Sequence, residues 1–258
     1  MVFGIYNTTI VAFNVLLAVS YAISNALFPA FSALRTSNQD QSLSNAVRLG
    51  SRYVSFTVIP LALGLLATAR LALTIFVGQA YVEGSEPLII LSGIFAFTVF
   101  GTALGLMLLA LAETRLAPAI TIVSVLVSLA AAFLLLPIWG MVGASVARGF
   151  AMIIGTVLTI IVLSRKMTLR LDVEAIIKSL IAGVTMAVAV MVLQIPIYSR
   201  FLLPICVLVG LIVYLVALSL LKAVRLEDVE LIRGYLGDRL VFVANLISRI
   251  LLSTSSRE

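Results

Sequence analysis

Two arginines lie inside long apolar runs, where a charged side chain is costly and usually has a task. Arg148 follows a glycine-containing turn by about one and a half helical turns, and Arg70 lies about two-thirds along another run. A central arginine costs about 2.5–3.5 kcal/mol on membrane-insertion scales. Its planar guanidinium suits a diphosphate because it bonds two oxygens and stays charged. Both are candidate substrate-binding residues; a snorkelling or structural role remains open for Arg148 and is the simpler one for Arg70.

The first apolar run carries a polar stripe. Asn7, Asn14 and Tyr21 are spaced seven residues apart, and Asn25 follows four residues later. Seven residues turn a helix by about 700°, so these positions share one face. Asparagine in hydrocarbon requires a partner, so this face meets protein or water. We expect it either to line a substrate-binding cavity or to join two helices.

Residue types exclude several kinds of chemistry within this chain. It contains no histidine, and Cys206 is its single cysteine, which excludes a histidine metal site, a histidine triad and an internal disulfide. All eleven Asp and Glu fall outside the apolar runs, so no carboxylate is expected inside the membrane. No nucleophile–base pair, Walker-type loop or dinucleotide fingerprint is present. We therefore expect a non-enzyme without catalytic residues, cofactor or metal.

The composition indicates lipid as the surrounding solvent. Hydrophobic residues make up 62% of the chain and charged residues 11%, against about 45–50% and about 25% in soluble domains. A span needs about 20 apolar residues, which predicts an all-α polytopic membrane bundle of about seven transmembrane helices. Their expected bounds are 5–34, 54–77, 86–111, 116–137, 141–163, 176–196 and 201–221. Residues 35–52 are expected at the membrane interface.

The positions of the basic residues predict the orientation. Fourteen of the 17 Lys and Arg lie in alternate connections on one side, and Arg200 alone lies on the other. By the positive-inside rule this predicts a multi-pass protein of the cell membrane with its N-terminus outside and its C-terminus in the cytoplasm. The net charge of +6 then reports topology rather than a nucleic-acid partner. Because no signal peptide explains an exported N-terminus, the chain is expected to be the C-terminal part of a longer protein.

Proline and glycine mark two further features. Pro60 removes a backbone donor inside the second run, so it is expected to bend that helix, either as a hinge for alternating access or as a fixed shape. Gly101 and Gly105 form a GxxxG pattern, which favours close helix packing.

Short motifs, taken in their order and spacing, resemble a known family. They begin with Gly4-Ile-Tyr-Asn7, Leu27-Phe-Pro-Ala-Phe-Ser32 and Ile59-Pro-Leu-Ala-Leu-Gly-Leu65, and continue with Phe76-Val-Gly-Gln-Ala-Tyr81, Leu109-Ala-Leu-Ala-Glu-Thr114 and Trp139-Gly-Met-Val-Gly-Ala-Ser-Val-Ala147. Over about residues 3–221 the chain resembles the second half of the polysaccharide and oligosaccharide-lipid flippases, within the multidrug/oligosaccharidyl-lipid/polysaccharide exporter superfamily.

The resemblance implies more than the residues alone. Relatives have two six-helix lobes, often with two extra helices, around a central cavity, so this chain would match helices eight to fourteen and lack the N-terminal lobe. It would flip a polyprenyl-phosphate-linked sugar across the membrane by rocker-switch alternating access. Cavity arginines bind the lipid diphosphate in relatives, but those positions vary, so Arg148 and Arg70 are candidates by chemistry rather than by motif.

The implied organisation has three parts. Residues 1–163 would form five helices of the second lobe, 164–221 two additional helices, and 222–258 a cytoplasmic amphipathic tail. The expected partners are the lipid-linked sugar, membrane lipid, and a missing N-terminal lobe or partner chain. Two alternatives stay open: a cation-coupled multidrug or metabolite antiporter of the same superfamily, and a non-transporting subunit of a split transporter.

Overall fold

A computed structural model describes residues 2–36, 40–111, 115–194, 202–221 and 223. These residues form seven α-helices and one short 3₁₀ helix, Gln79–Gly84. The α-helices are α1 (Val2–Thr36), α2 (Asp40–Phe76), α3 (Ser85–Thr98), α4 (Phe100–Ala110), α5 (Leu116–Lys166), α6 (Val173–Leu193) and α7 (Leu202–Leu220). The expected tail at 222–258 lies outside the described residues except for Ala223, and so does Arg200.

The predicted membrane bundle is confirmed. Within the described residues, six helices are long and apolar enough to cross a membrane. One of them, α5, has 51 residues and would be about 75 Å long if straight, more than twice the hydrocarbon thickness of about 30 Å. It turns back at Gly140, whose φ of 53° and ψ of −128° are not helical. Gly143 then lies directly against the Leu135 backbone, so α5 is the hairpin expected at 137–143.

The second helix is longer than predicted. It starts at Asp40 rather than at 54, so most of the segment assigned to the interface continues the membrane helix. Leu43 and Val47 are buried in this extension, and Gly50 packs against Leu27 of α1. The apolar run marks only the part of a helix that lipid surrounds. Polar residues beyond it prolong α2 because they pack against other parts of the protein.

The third span is divided by a local distortion, at a residue whose φ of −52° and ψ of −31° remain helical. Its two helices, α3 and α4, meet at Val99. The hydroxyl of Thr102 donates to the Val99 carbonyl at 3.1 Å, and that of Thr156 on α5 donates to the Thr98 carbonyl at 3.5 Å. Side chains that bond carbonyls of the helix ladder are a recognised cause of helix distortion. Only one glycine of the GxxxG pattern next to Val99 makes a close helix contact among the described residues. Gly101 packs against Thr156, whereas Gly105 faces open space.

Helix α2 lies at the centre of the bundle. It contacts α6 and α7 on one side and α1 and the α3–α4 pair on the other, and the α5 hairpin packs on α3 and α4. Small residues permit close approach: Gly183 of α6 lies against Leu63 of α2, and Gly149 of α5 against Ile94 of α3. The lone cysteine, Cys206, is buried and unpaired in α7.

A buried ion pair ties three segments together at one end of the bundle. Arg52, 3% exposed, lies 3.7 Å from Asp172 and donates to the Ala223 carbonyl at 2.9 Å. Asp172 caps α6 by accepting from the Ala175 backbone N–H, and its own N–H donates to Ser51. A segment about three turns into α2, the α5–α6 connection and the residue that follows α7 therefore meet at one clamp, formed by Arg52, Asp172, Ser51 and Ala223.

We expect Asp172→Asn to destabilise the bundle by about 3 kcal/mol, because the amide can still cap α6 but removes the carboxylate charge that lies 3.7 Å from the buried Arg52 guanidinium. The measurement is the thermal unfolding midpoint in detergent micelles. Glu174→Gln is the matched control, since Glu174 is well exposed and its pair with Lys178 spans one helical turn. Adding Arg52→Met to Asp172→Asn should recover part of the loss, and equal midpoints for Asp172→Asn and Glu174→Gln would contradict the clamp.

Candidate functional site

The polar stripe lies on a face of α1 that no other described helix covers. Asn7, Asn14, Tyr21 and Asn25 are all exposed. Among the described residues, none of these four side chains makes a hydrogen bond to another residue. The structure therefore does not show these side chains joining α1 to another described helix. The four side chains instead present amide and phenol groups outward at membrane depth.

The other faces of α1 make its helix contacts. Thr9 donates to the Gly84 carbonyl at 3.0 Å. Near the middle of α1, Ser20 bonds Thr102 of α4 at 2.6 Å, and Ser24 donates to the same hydroxyl at 3.5 Å. These hydroxyls hold α1 in a fixed rotation, and that rotation leaves the stripe exposed.

Arg148 reaches α1 from the α5 hairpin. Gly149 is the next residue, and its contact with Ile94 draws α5 close to α3 at this level. The half-buried Arg148 places its guanidinium carbon 5.8 Å from the centre of the Phe13 ring. It makes no ion pair with any described residue. The contact falls at position 13, directly before Asn14, so Arg148 meets α1 about 100° around the helix from the stripe.

Two hydroxyls accompany this guanidinium. Tyr6 lies beside both Ser145 and Arg148. Ser145 is fully buried, and its Oγ has no hydrogen-bond partner in the described part of the chain. Tyr6 and Phe13 are seven residues apart on α1, and Ser145 and Arg148 are three apart on α5. The two pairs therefore face each other across the gap between α1 and α5, and we call these four residues the Arg148 cluster.

Arg70 lies elsewhere. It is exposed one turn after Ala67 on α2, and the Ala67 carbonyl accepts a hydrogen bond from Gln194 of α6 at 3.0 Å. Arg148, by contrast, lies against α1. The structure thus does not bring the two arginines into contact.

Pro60 leaves a carbonyl that α7 satisfies. Proline has no N–H to bond the carbonyl four residues earlier, which belongs to Phe56. Tyr214 donates to that carbonyl at 3.1 Å. Its hydroxyl also bonds Ser179 of α6 at 2.8 Å, and Ser179 donates to the Ser55 carbonyl at 2.9 Å. The proline position is therefore braced by α6 and α7.

Sequence reasoning did not find Tyr6, Phe13 and Ser145. In the sequence, Phe13 is one of many apolar residues and Ser145 is one small residue among others in a helix, so neither stands out. A partial signal exists, since Tyr6 and Phe13 precede Asn7 and Asn14 with the same seven-residue spacing. Their significance depends on Arg148, more than 130 residues away along the chain.

The arrangement can bind a polar, anionic molecule at membrane depth. A guanidinium and two hydroxyls can donate to phosphate oxygens, and the exposed asparagines offer donors and acceptors to sugar hydroxyls. Among the described residues, no group of three or more Cys, Asp or Glu lies close enough to hold a metal ion.

Comparison with known proteins agrees with this architecture. The sequence matches the family described as "Lipid II flippase MurJ" over residues 4–217. The probable low-salt glycan biosynthesis flippase Agl15 of Haloferax volcanii is 28% identical over 155 residues, which is 60% of this chain and 33% of that protein. The fold is similar to a lipid II flippase MurJ in its inward closed conformation, with a TM-score of 0.68 and 16% identity.

The match to that structure covers 88% of this chain and 48% of the MurJ chain. The chain thus spans about half the length of the solved relative and a third of the curated one. At 16% identity the likeness to the solved structure shows the fold alone, whereas the family match includes most of the present sequence. This multi-pass, all-helical membrane chain belongs to the MurJ lipid II flippase family.

Proposed function

We propose that the chain is the second lobe, with two additional helices, of a flippase that moves polyprenyl-phosphate-linked oligosaccharides across the cell membrane by alternating access. The observation that carries the proposal is the polar stripe of α1, exposed at membrane depth next to a cationic side chain. Lipid is an unsuitable neighbour for three asparagines, whereas a water-filled cavity between two lobes suits them. The family match and the glycan-flippase relative support the same substrate class.

The proposed orientation places the start of α1 outside and the clamp in the cytoplasm. The clamp itself supports this orientation. It joins the first third of α2, the α5–α6 connection and the residue after α7 at one end of the bundle. Basic residues concentrate at this end, among them Arg48, Arg165, Lys166, Arg170 and Lys178. Arg148 then lies in the outer half of the membrane, about 12 Å along the helix from the hairpin tip at Gly140.

In this arrangement the residues have distinct roles. Arg148 contacts the anionic headgroup, and Asn7, Asn14, Tyr21 and Asn25 line the path of the sugar. Arg70 would meet substrate only at the outer end of α2. Pro60 would allow α2 to flex as the lobes rock, with Tyr214 bonding the freed Phe56 carbonyl.

We expect Arg148→Ala to reduce flipping of a fluorescent lipid-linked sugar by roughly tenfold or more, because charge-assisted hydrogen bonds to the headgroup are lost. The measurement is the initial rate in proteoliposomes of the complete flippase. Arg165→Ala is the matched control, with the same charge change on an exposed position of the same helix. Equal rates for the two variants would remove Arg148 from the binding site.

We expect water to reach the polar stripe of α1. In a background with Cys206→Ala, Asn14→Cys should react with a membrane-impermeant charged thiol reagent, because thiolate forms in water and not in lipid. Leu126→Cys is the control, since Leu126 is an exposed apolar residue on the first half of the α5 hairpin. Labelling at position 126 but not at position 14 would place the stripe against lipid or protein.

We expect Pro60→Ala to slow flipping without reducing the amount of protein in the membrane, because the restored N–H can bond Phe56 and stiffen α2. Pro29→Ala supplies the control, as it makes the same substitution inside the neighbouring helix α1. A hinge role for Pro60 would be excluded if both variants flipped at the parental rate.

A further inference from the structure

The inference concerns how Arg148 is held rather than what it binds. An arginine side chain has several rotatable bonds and, in a polar cavity, would sample many orientations. A bidentate contact needs the guanidinium plane fixed relative to the ligand. Some part of the protein must therefore orient this side chain, and in the described residues no carboxylate does so.

The ring of Phe13 faces the guanidinium at 5.8 Å, within the range of a cation–π contact. Phe13 is itself closely packed. It is fully buried, and Phe95 of α3 contacts it edge to face, with ring centres 5.5 Å apart and planes at 85°. An aromatic ring held in this way is a rigid support for a cation.

The support leaves the donors of Arg148 available. A carboxylate partner would occupy the same N–H groups that a phosphate needs. A ring face attracts the cation from above the guanidinium plane and leaves the N–H donors in that plane available. Ser145 Oγ, buried and without a hydrogen-bond partner among the described residues, lies beside Tyr6 at this level. An anionic oxygen in the gap could accept from the guanidinium and from both hydroxyls.

We propose that Phe13, backed by Phe95, is the positioning residue that orients Arg148 to bind a diphosphate group, with Tyr6 and Ser145 completing the donor set. The proposal rests on the proposed function of Arg148 as a headgroup contact. It adds that the electrons of the Phe13 ring, rather than its volume, set the affinity for the anion.

The test replaces Phe13 with phenylalanines carrying one, two or three ring fluorines in the complete flippase purified in detergent. Fluorine depletes the ring face of electrons and leaves its shape nearly unchanged, so packing is preserved. The probe is geranylgeranyl diphosphate, with geranylgeraniol and inorganic diphosphate as separate arms to distinguish the tail from the anion. We expect the Kd for the lipid diphosphate to rise stepwise, reaching roughly twofold to thirtyfold at three fluorines, with the Kd for geranylgeraniol unchanged.

Phe56 offers a matched control, because its ring lies 5.5 Å from the Arg52 guanidinium in the clamp. Fluorination there should lower the unfolding midpoint and leave the Kd unchanged. If Arg148→Ala weakens binding but fluorination of Phe13 does not, the positioning role is overturned and the proposed function stands. If Arg148→Ala leaves the Kd unchanged, the headgroup contact itself is wrong, and the positioning role falls with it.

Discussion

Lipid gives these helices no hydrophobic reason to associate, because the acyl chains around them are as apolar as their own side chains. The bundle depends instead on close backbone approach and on hydrogen bonds between helices. Gly183 and Gly149 bring α6 against α2 and α5 against α3, and a hydroxyl pair joins Ser20 to Thr102. A polar side chain at membrane depth therefore either contributes to a helix contact or requires a different explanation.

The polar side chains that require a different explanation include the stripe of α1 and the Arg148 cluster beside it. The four stripe residues of α1 have no partner among the described residues, and Ser145 Oγ lacks one beside Arg148. Many other polar groups are paired even where the backbone is irregular: Tyr214 donates to the Phe56 carbonyl that Pro60 leaves free. That contrast supports the proposal that the exposed face of α1, with its three asparagines, meets a polar occupant.

Sequence predicted those features that depend on residues near one another in the chain. The stripe and the α5 hairpin follow from heptad spacing and from glycines within a few positions. The start of α2 was missed because hydropathy detects lipid contact and not helix, and the early turns of α2 pack against protein instead. Arg52 was counted as an ordinary cytoplasmic charge, since its partner Asp172 lies 120 positions away and only folding brings them together. The contact of Phe13 with Arg148 was missed for the same reason.

The two arginines that touch aromatic rings show how environment divides one residue type between two roles. Arg52 lies over Phe56, but it also has a carboxylate and a backbone carbonyl, and it is almost completely buried. Its charge is neutralised by Asp172 and part of its guanidinium is engaged, so it stabilises the fold rather than binding a second anion. Arg148 has the ring, makes no ion pair with a described residue and is only half buried. A cation held by an aromatic face keeps its charge and its hydrogen-bond donors, which is the state that a transient anionic ligand requires: a permanent carboxylate would compete with each substrate, and a free side chain would have to be ordered each time one arrived.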